Sequence, residues 1–208
     1  MASEPSLWLS GQRKILAYKS ATRLGLLRAV ALPVEALAAD VDERMIEAAF
    51  FREGGTPPQL AAKLAAEKAL AVSRRAPDAL VIGADQTLTL GDKLFHKAVS
   101  RAEACTNLRR LAGRKHRLTS AVAIVRDGEL LHAFEDYADL TMRKLSDCAI
   151  ERYLDVVGEG ALHSVGGYQL EGVGVHLFSR VVGAHTTILG LPMMPLLAWL
   201  RDRGMIGP

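Results

Sequence analysis

The sequence predicts an α/β fold organised around a mixed β-sheet. Segments of helical and strand period alternate along the chain, the pattern of a sheet covered by helices. Two tight turns, Gly91-Asp92 and Asp127-Gly128, each join a pair of extended runs, so part of the sheet is antiparallel. Half of the 208 residues are hydrophobic, enough to fill one large domain or two small lobes around a cleft.

Residues 1–12 are expected to form a flexible tail, and 13–208 a single domain. "KILAY" (14–18) has the composition of a short buried strand. Ser20 then caps a helix over 21–31, with Leu24, Leu27 and Val30 on one side, and Pro33 ends it. "ADVDERMIEAAFFREGGTPPQ" is polar and broken by Gly54-Gly55 and Pro57-Pro58. It is expected to be a long connection with one helical turn. Residues 58–75 carry the clearest helical stripe, Leu60, Ala61, Leu64, Ala65 and Ala69. Lys68 falls on that apolar stripe.

A strand over 79–84 leads through Asp85 to a second extended piece, 86–90, and Gly91-Asp92 suits a II′ hairpin turn. Ser100 with Glu103 is a capping box, and Gly113 closes the helix that follows. Two long strands flank Asp127-Gly128. Ser146 caps a helix bearing Ile150, Tyr153, Leu154 and Val157 on one side. Residues 165–183 are glycine-rich and expected to be extended. The last helix starts near Pro192 and ends at Gly204.

Composition narrows the function classes. A net charge of +3 is too small for a nucleic-acid binder, and aromatics at 5% are too few for a stacking groove along a single strand. Cys105 and Cys148 form neither a disulfide framework nor a zinc motif. The opening "MASEPSLWLSGQRK" lacks the apolar core of a secretory signal, and no run reaches the ~18 apolar residues of a membrane span. These features are those of a reduced, cytoplasmic protein. There is no GxxxxGK[ST] loop, no complete dinucleotide fingerprint at Gly172-Val173-Gly174 and no GxSxG elbow.

Four constellations remain. The first is Lys19-Ser20-Ala21-Thr22-Arg23 at a helix start, where free N–H groups and the helix dipole favour an anion; Ser20 is equally a plain cap there. The second is acidic: Glu35, Asp40, Asp42, Glu43 and, far along the chain, Asp85. Oxygen ligands without histidine suit Mg²⁺ or Mn²⁺ bridging to phosphate, although Asp40, Asp42 and Glu43 also suit a charged loop. Asp85 directly follows an apolar strand, where an ionised group requires a partner. The third is Lys93, Lys97, Arg114 and Lys115 with His116. The fourth sets Gly166, Gly167, Gly172 and Gly174 around Gln169 and Glu171; such glycines serve either bulges or the close approach of a flat ligand. Lys68 is either a snorkelling lysine or one pointing into a cleft.

The order of these pieces resembles the Maf family of nucleotide pyrophosphatases, from about Ile15 to Leu200. "ILAYKSATRLGLL" resembles the family's LAS-x-SPRR-x-x-LL at Ser20 and Arg23, departing at Tyr18, Ala21 and Thr22. "VEALAADVDE" resembles its F-E…D-E stretch at Glu35, Asp42 and Glu43. "AAEKA" supplies Lys68, and "IGADQTL" supplies Asp85 of the GAD core. "HKA" keeps Lys97 and replaces the usual proline by Ala98. "LAGRKHRLTSAVAI" keeps His116, with Ser120 for threonine, and "VGGYQLEGVGVHLFSRVVGAHTTILGLP" is similar to the closing block. Each motif is short; seven in this order are specific.

The resemblance implies an elongated mixed-sheet α/β fold with two lobes around a central cleft, commonly homodimeric. It implies hydrolysis of a nucleoside triphosphate to the monophosphate and pyrophosphate with a divalent metal, Mg²⁺ or Mn²⁺. On that footing Asp85, Lys68 and Lys97 are the catalytic residues, with Asp85 a general base for water. Ser20, Arg23, Gln86, Thr87, Glu171 and Gly172 contact substrate, and Glu35 and Asp85 hold the metal. Gln86 and Glu171 look more like the branch acting on 7-methyl-GTP than the branch acting on dTTP and UTP. The rival expectation is a nucleotide-binding regulator of cell division with little turnover.

Overall fold

The computed structural model describes residues 7–17 and 20–207. Tyr18 and Lys19, and with them part of the first constellation, lie outside the described residues. The chain runs β1 (Lys14–Leu16), α1 (Ala21–Ala29), β2 (Glu35–Ala36), α2 (Glu43–Arg52), α3 (Pro57–Ser73), β3 (Leu80–Leu90) and β4 (Lys93–Phe95). It continues through α4 (Arg101–Leu111), β5 (Lys115–Arg126), β6 (Glu129–Met142), α5 (Asp147–Val157), β7 (Phe178–Val182), α6 (His185–Ile188) and α7 (Met193–Asp202).

The strands form one seven-stranded sheet in the order β2-β1-β3-β5-β6-β7, with β4 paired to β3. β1 runs parallel to β2 and β3, and the remaining pairs are antiparallel. The expected mixed sheet with flanking helices is thus the observed one. Among the described residues no helix is long and apolar enough to cross a membrane.

Period-two alternation distributes β3 between two faces. Val81 joins the apolar cluster under α3, whereas Ile82 and Ala84 pack with α1 and α7, and Leu88 packs with α4 and α5. The two clusters on the second face therefore meet along β3 between Ala84 and Leu88. Gln86 lies at that junction, while Asp85 and Thr87 point to the α3 side, where Asp85 meets Lys68.

The α3 face is built from small side chains. Ala61, Ala65 and Ala69 pack toward Val81, Ala121 and Ala123. A Cβ at Gly83 would sit 2.1 Å from the Ala65 carbonyl oxygen and 2.8 Å from the Ala69 Cβ. Glycine at that position lets the helix backbone come down onto the strand. This close approach carries Lys68 to the sheet with its stem buried.

Four expectations are corrected. The 39–59 stretch, expected as a connection, holds a ten-residue helix, α2, capped by the Asp42 side chain on the Met45 N–H. It buries no residue fully, although Met45, Ile46, Ala49 and Phe50 form an apolar stripe along one side. Residues 165–183 are extended only over β7; Gly158–Leu162 and Val173–Leu177 are short 3₁₀ turns. The strand through Asp85 is continuous over eleven residues. Finally, residues 7–9 of the expected tail are laid along the C-terminal segment, with Trp8 bridged to Ile206 and the Leu9 N–H donating to Met205.

Candidate active site

A cleft of about 890 Å³ opens beside the middle of β3. Its floor is Asp85, which is 6% exposed. The Lys68 ammonium, brought by α3, donates to Asp85 Oδ1 at 2.6 Å. The same Nζ lies 2.8 Å from Glu43 Oε1, at the first turn of α2. Two carboxylates from distant parts of the chain thus converge on one buried ammonium.

Burial pushes the Asp85 carboxyl up from its ordinary range, against the pull of Lys68 and Arg23. Burial would lower the Lys68 ammonium, but Asp85 and Glu43 together hold it above its usual value. Physically, the ammonium serves two anions and stays charged, while Asp85 becomes a stronger base than an exposed aspartate.

Arg23 is buried at the cleft wall. Its Nε donates to the Gly190 carbonyl at 2.7 Å and Nη1 to the Ala84 carbonyl at 3.1 Å. Ser20 caps α1, its hydroxyl accepting from the Arg23 N–H at 3.3 Å, and it too lines the cleft. Lys97 lines the opposite side, where it bridges to Val165, and is exposed. His96 Nε2 beside it lies 3.4 Å from Glu47 of α2. Thr87 lines the wall, its hydroxyl buried with no hydrogen-bond partner among the described residues. Glu171 stands at the exposed rim with Gln169 and Leu170.

The structure therefore brings together Asp85, Lys68, Lys97, Ser20, Arg23, Gln86, Thr87 and Glu171. Gln86 is engaged differently from the sequence expectation: its amide nitrogen donates to Ser120 Oγ and to the carbonyls of Thr187 and Ile188, at 2.9–3.0 Å. Two residues fall outside. Glu35, expected as a metal contact, is turned by β2 toward Arg13, pairing at 2.6 Å in an exposed ion pair, and it does not line the cleft. Gly172 is likewise absent from the lining; its N–H closes a turn on the Gln169 carbonyl.

Glu43 stands among the acidic candidates of the sequence, but the metal role was expected of Glu35, because a charged loop explains Glu43 equally well there. The usable signal was Asp42 ahead of Met45, Ile46, Ala49 and Phe50: a cap followed by a helical stripe. Once α2 exists, Glu43 at its start points to Lys68, and Arg44 and Glu47 join the lining.

A family model described as Maf-like protein matches residues 13–203. The chain belongs to the Maf-like family. Curated relatives agree along almost the whole length of this Maf-like chain. It is 49% identical over 202 residues to the "Nucleoside triphosphate pyrophosphatase" of Rhodopseudomonas palustris (strain BisB18), covering 97% of this chain and 98% of the relative. It is 50% identical over 192 residues to the "7-methyl-GTP pyrophosphatase" of Rhizobium etli, covering 92% and 96%. A nucleoside triphosphate pyrophosphatase of Bradyrhizobium diazoefficiens is 48% identical over 200 residues, covering 96% and 98%.

Proposed function

We propose that this Maf-like chain hydrolyses a nucleoside 5′-triphosphate to the monophosphate and pyrophosphate. One observation carries the reading: a buried carboxylate, Asp85, held at 2.6 Å by a buried lysine on the floor of a cation-bearing cleft. The relatives' activity supports it. Asp85 accepts a proton from a water molecule as that water forms a bond to the α-phosphorus. The bond from the α-phosphorus to the bridging oxygen breaks, and pyrophosphate leaves with the electron pair. Lys68, Arg23 and Lys97 offset the charge on the phosphate oxygens, so positioning and charge neutralisation supply most of the acceleration. Phosphates then lie between Arg23 on one wall and Lys97 on the other.

A divalent cation fits the donor set in one particular way. Among the described residues no group of three or more carboxylate, histidine or cysteine side chains is arranged to hold a metal. Glu43 and Asp85 are brought together by the Lys68 ammonium, each through one oxygen, which leaves a second oxygen on each. Mg²⁺ is often bound by one or two carboxylates completed by substrate phosphates and water. Glu43 and Asp85 would hold such an ion, with Glu43 taking the place expected for Glu35. When bound it would polarise the phosphoryl group. The same reading includes a cytoplasmic homodimer, as the family resemblance implies.

For the base, Glu171 at the rim offers a carboxylate, which suits the N1–H and 2-amino donors of a guanine better than the carbonyl-rich edge of thymine. A modified guanine nucleotide is the substrate this favours. The test is pyrophosphate release from ordinary and methylated triphosphates with Mg²⁺ or Mn²⁺, with Asp85→Asn alongside. Turnover by wild type and its loss in the variant supports the hydrolase, and the best substrate fixes the base. Tight nucleotide binding without release by wild type would instead identify a nucleotide-binding regulator.

A further inference from the structure

Behind the cleft wall lies a polar chain that the chemistry above does not use. The Thr187 hydroxyl donates to Asp136 Oδ2 on β6 at 2.6 Å. The Thr187 carbonyl accepts from Ser120 Oγ at 2.7 Å and from the Gln86 amide at 3.0 Å. The Ile188 carbonyl takes a second bond from the same amide, and the Gly190 carbonyl accepts from Arg23 Nε. Four residues of backbone, 187–190, therefore support Gln86 and Arg23 together. Thr187 and Ser120 are fully buried, and neither they nor Asp136 line the cleft.

The turn is shaped around Arg23. Gly190 has φ +90°, and a Cβ there would lie 2.7 Å from Arg23 Nη2. The guanidinium packs directly against the turn's backbone, so a shift of the turn moves it. A four-residue helix such as α6 (His185–Ile188) has little stability of its own. Its position must come from outside anchors, and the bond to a carboxylate is the strongest class available.

We propose that Thr187, anchored by Asp136, is a positioning residue that sets the Arg23 guanidinium beside Asp85 for binding a phosphate chain. The inference rests on the phosphate-binding reading of this cleft. It adds two residues, Thr187 and Asp136, that touch neither substrate nor metal. Thr187 replaced by valine keeps its volume and loses the anchor; serine restores the hydroxyl.

The test is the affinity of the purified protein for inorganic pyrophosphate with Mg²⁺, by calorimetry, together with kcat and KM on any triphosphate it turns over. Thr187→Val should weaken pyrophosphate binding about tenfold, of the order expected for a lost hydrogen bond to a charged group. Thr187→Ser should restore it. Asp136→Asn, at a half-exposed site, gives a smaller loss in the same direction and serves if the valine variant does not fold. In an Arg23→Lys background, Thr187→Val should cost almost nothing more, because the two act through one group. A folded Thr187→Val that binds pyrophosphate like wild type overturns the proposal. So does a loss of equal size with and without Arg23, which marks a merely structural role. Wild type that binds pyrophosphate but hydrolyses no triphosphate defeats the hydrolase reading alone, since binding is scored without turnover.

Discussion

Lys68 and Asp85 form a buried ion pair, 2.6 Å from nitrogen to oxygen, with Glu43 at 2.8 Å from the same ammonium. The pair depends on the alanine-lined contact of α3 with β3. Removing one partner of a buried pair leaves an uncompensated charge, which costs about 3–5 kcal/mol. Lys68→Met should therefore be strongly destabilised, by roughly that amount in chemical denaturation. Adding Asp85→Leu to it should recover part of the loss, since a matched apolar pair strands no charge. Turnover should fall at least ~100-fold in the single variant, as for other groups that stabilise developing charge. A Lys68→Met protein of wild-type stability would show that the pair is not held in the folded state as described.

The two candidate second carboxylates give opposite expectations. Glu43 shares Lys68 with Asp85, whereas Glu35 is paired with Arg13 in solvent. Glu43→Gln should raise the Mg²⁺ concentration for half-maximal activity at least ~10-fold, the lower end of what altered metal surroundings produce. Glu35→Gln should leave the Mg²⁺ curve where it is, because its side chain lies outside the cleft. A titration of activity against free Mg²⁺ for both variants checks the assignment, and a reversed order would return the role to Glu35.

How much of this was legible in the sequence depended on burial. Lys68 stood out because a charged residue on the stripe Leu60–Leu64–Ala65–Ala69 has to be explained. Asp85 stood out because it follows Leu80-Val81-Ile82. The β5–β6 hairpin and α3 were legible for the same reason: their periodicity is imposed by a core that they fill. α2 was not, because the stretch is polar and ends in Gly54-Gly55 and Pro57-Pro58, which outweighed the cap at Asp42 and the stripe that follows it. The 165–177 segment was not, because Gly166 and Gly167 adopt positive φ values of 85° and 79°, and a composition that permits such turns also permits extended chain. Gln86 lines the cleft, but the bonds of its amide to Ser120 and to the 187–188 carbonyls were not legible. Nothing local in the sequence ties it to Thr187, 101 residues away.

Gly83 tests the approach of α3 directly. Its missing Cβ would overlap the Ala65 carbonyl oxygen and crowd Ala69. These are backbone and a fixed methyl, so neither can swing aside. Gly83→Ala should destabilise by at least about 1–3 kcal/mol, the usual cost of overpacking. By lifting α3 it should also weaken the Lys68–Asp85 contact, so kcat should fall with the stability. A variant whose melting temperature and kcat both match wild type would show that the contact is looser than described.

His116 supplies a pH test separate from the phosphate chemistry. It is buried, its Nε2 2.7 Å from the Tyr168 hydroxyl, and burial lowers its pKa to about 4. Tyr168 lines the cleft, so the bond braces the wall that carries Glu171. In the unfolded chain a histidine titrates near 6.5. Between about pH 6.5 and about pH 4 the unfolded chain therefore binds a proton that the folded chain refuses. Stability contributed by this group is full above 6.5 and declines as pH falls, by roughly 3 kcal/mol at pH 4. His116→Asn removes the titration while leaving Tyr168 a polar neighbour. Measured at pH 7, the variant should be the less stable protein, because packing and the Tyr168 bond are impaired. As the pH is lowered toward 4 the gap should narrow by up to that amount, since only wild type carries the penalty. Denaturant titrations of both proteins at several pH values decide it, and parallel curves across the window would mean that His116 takes up its proton in the folded chain as readily as in the unfolded one.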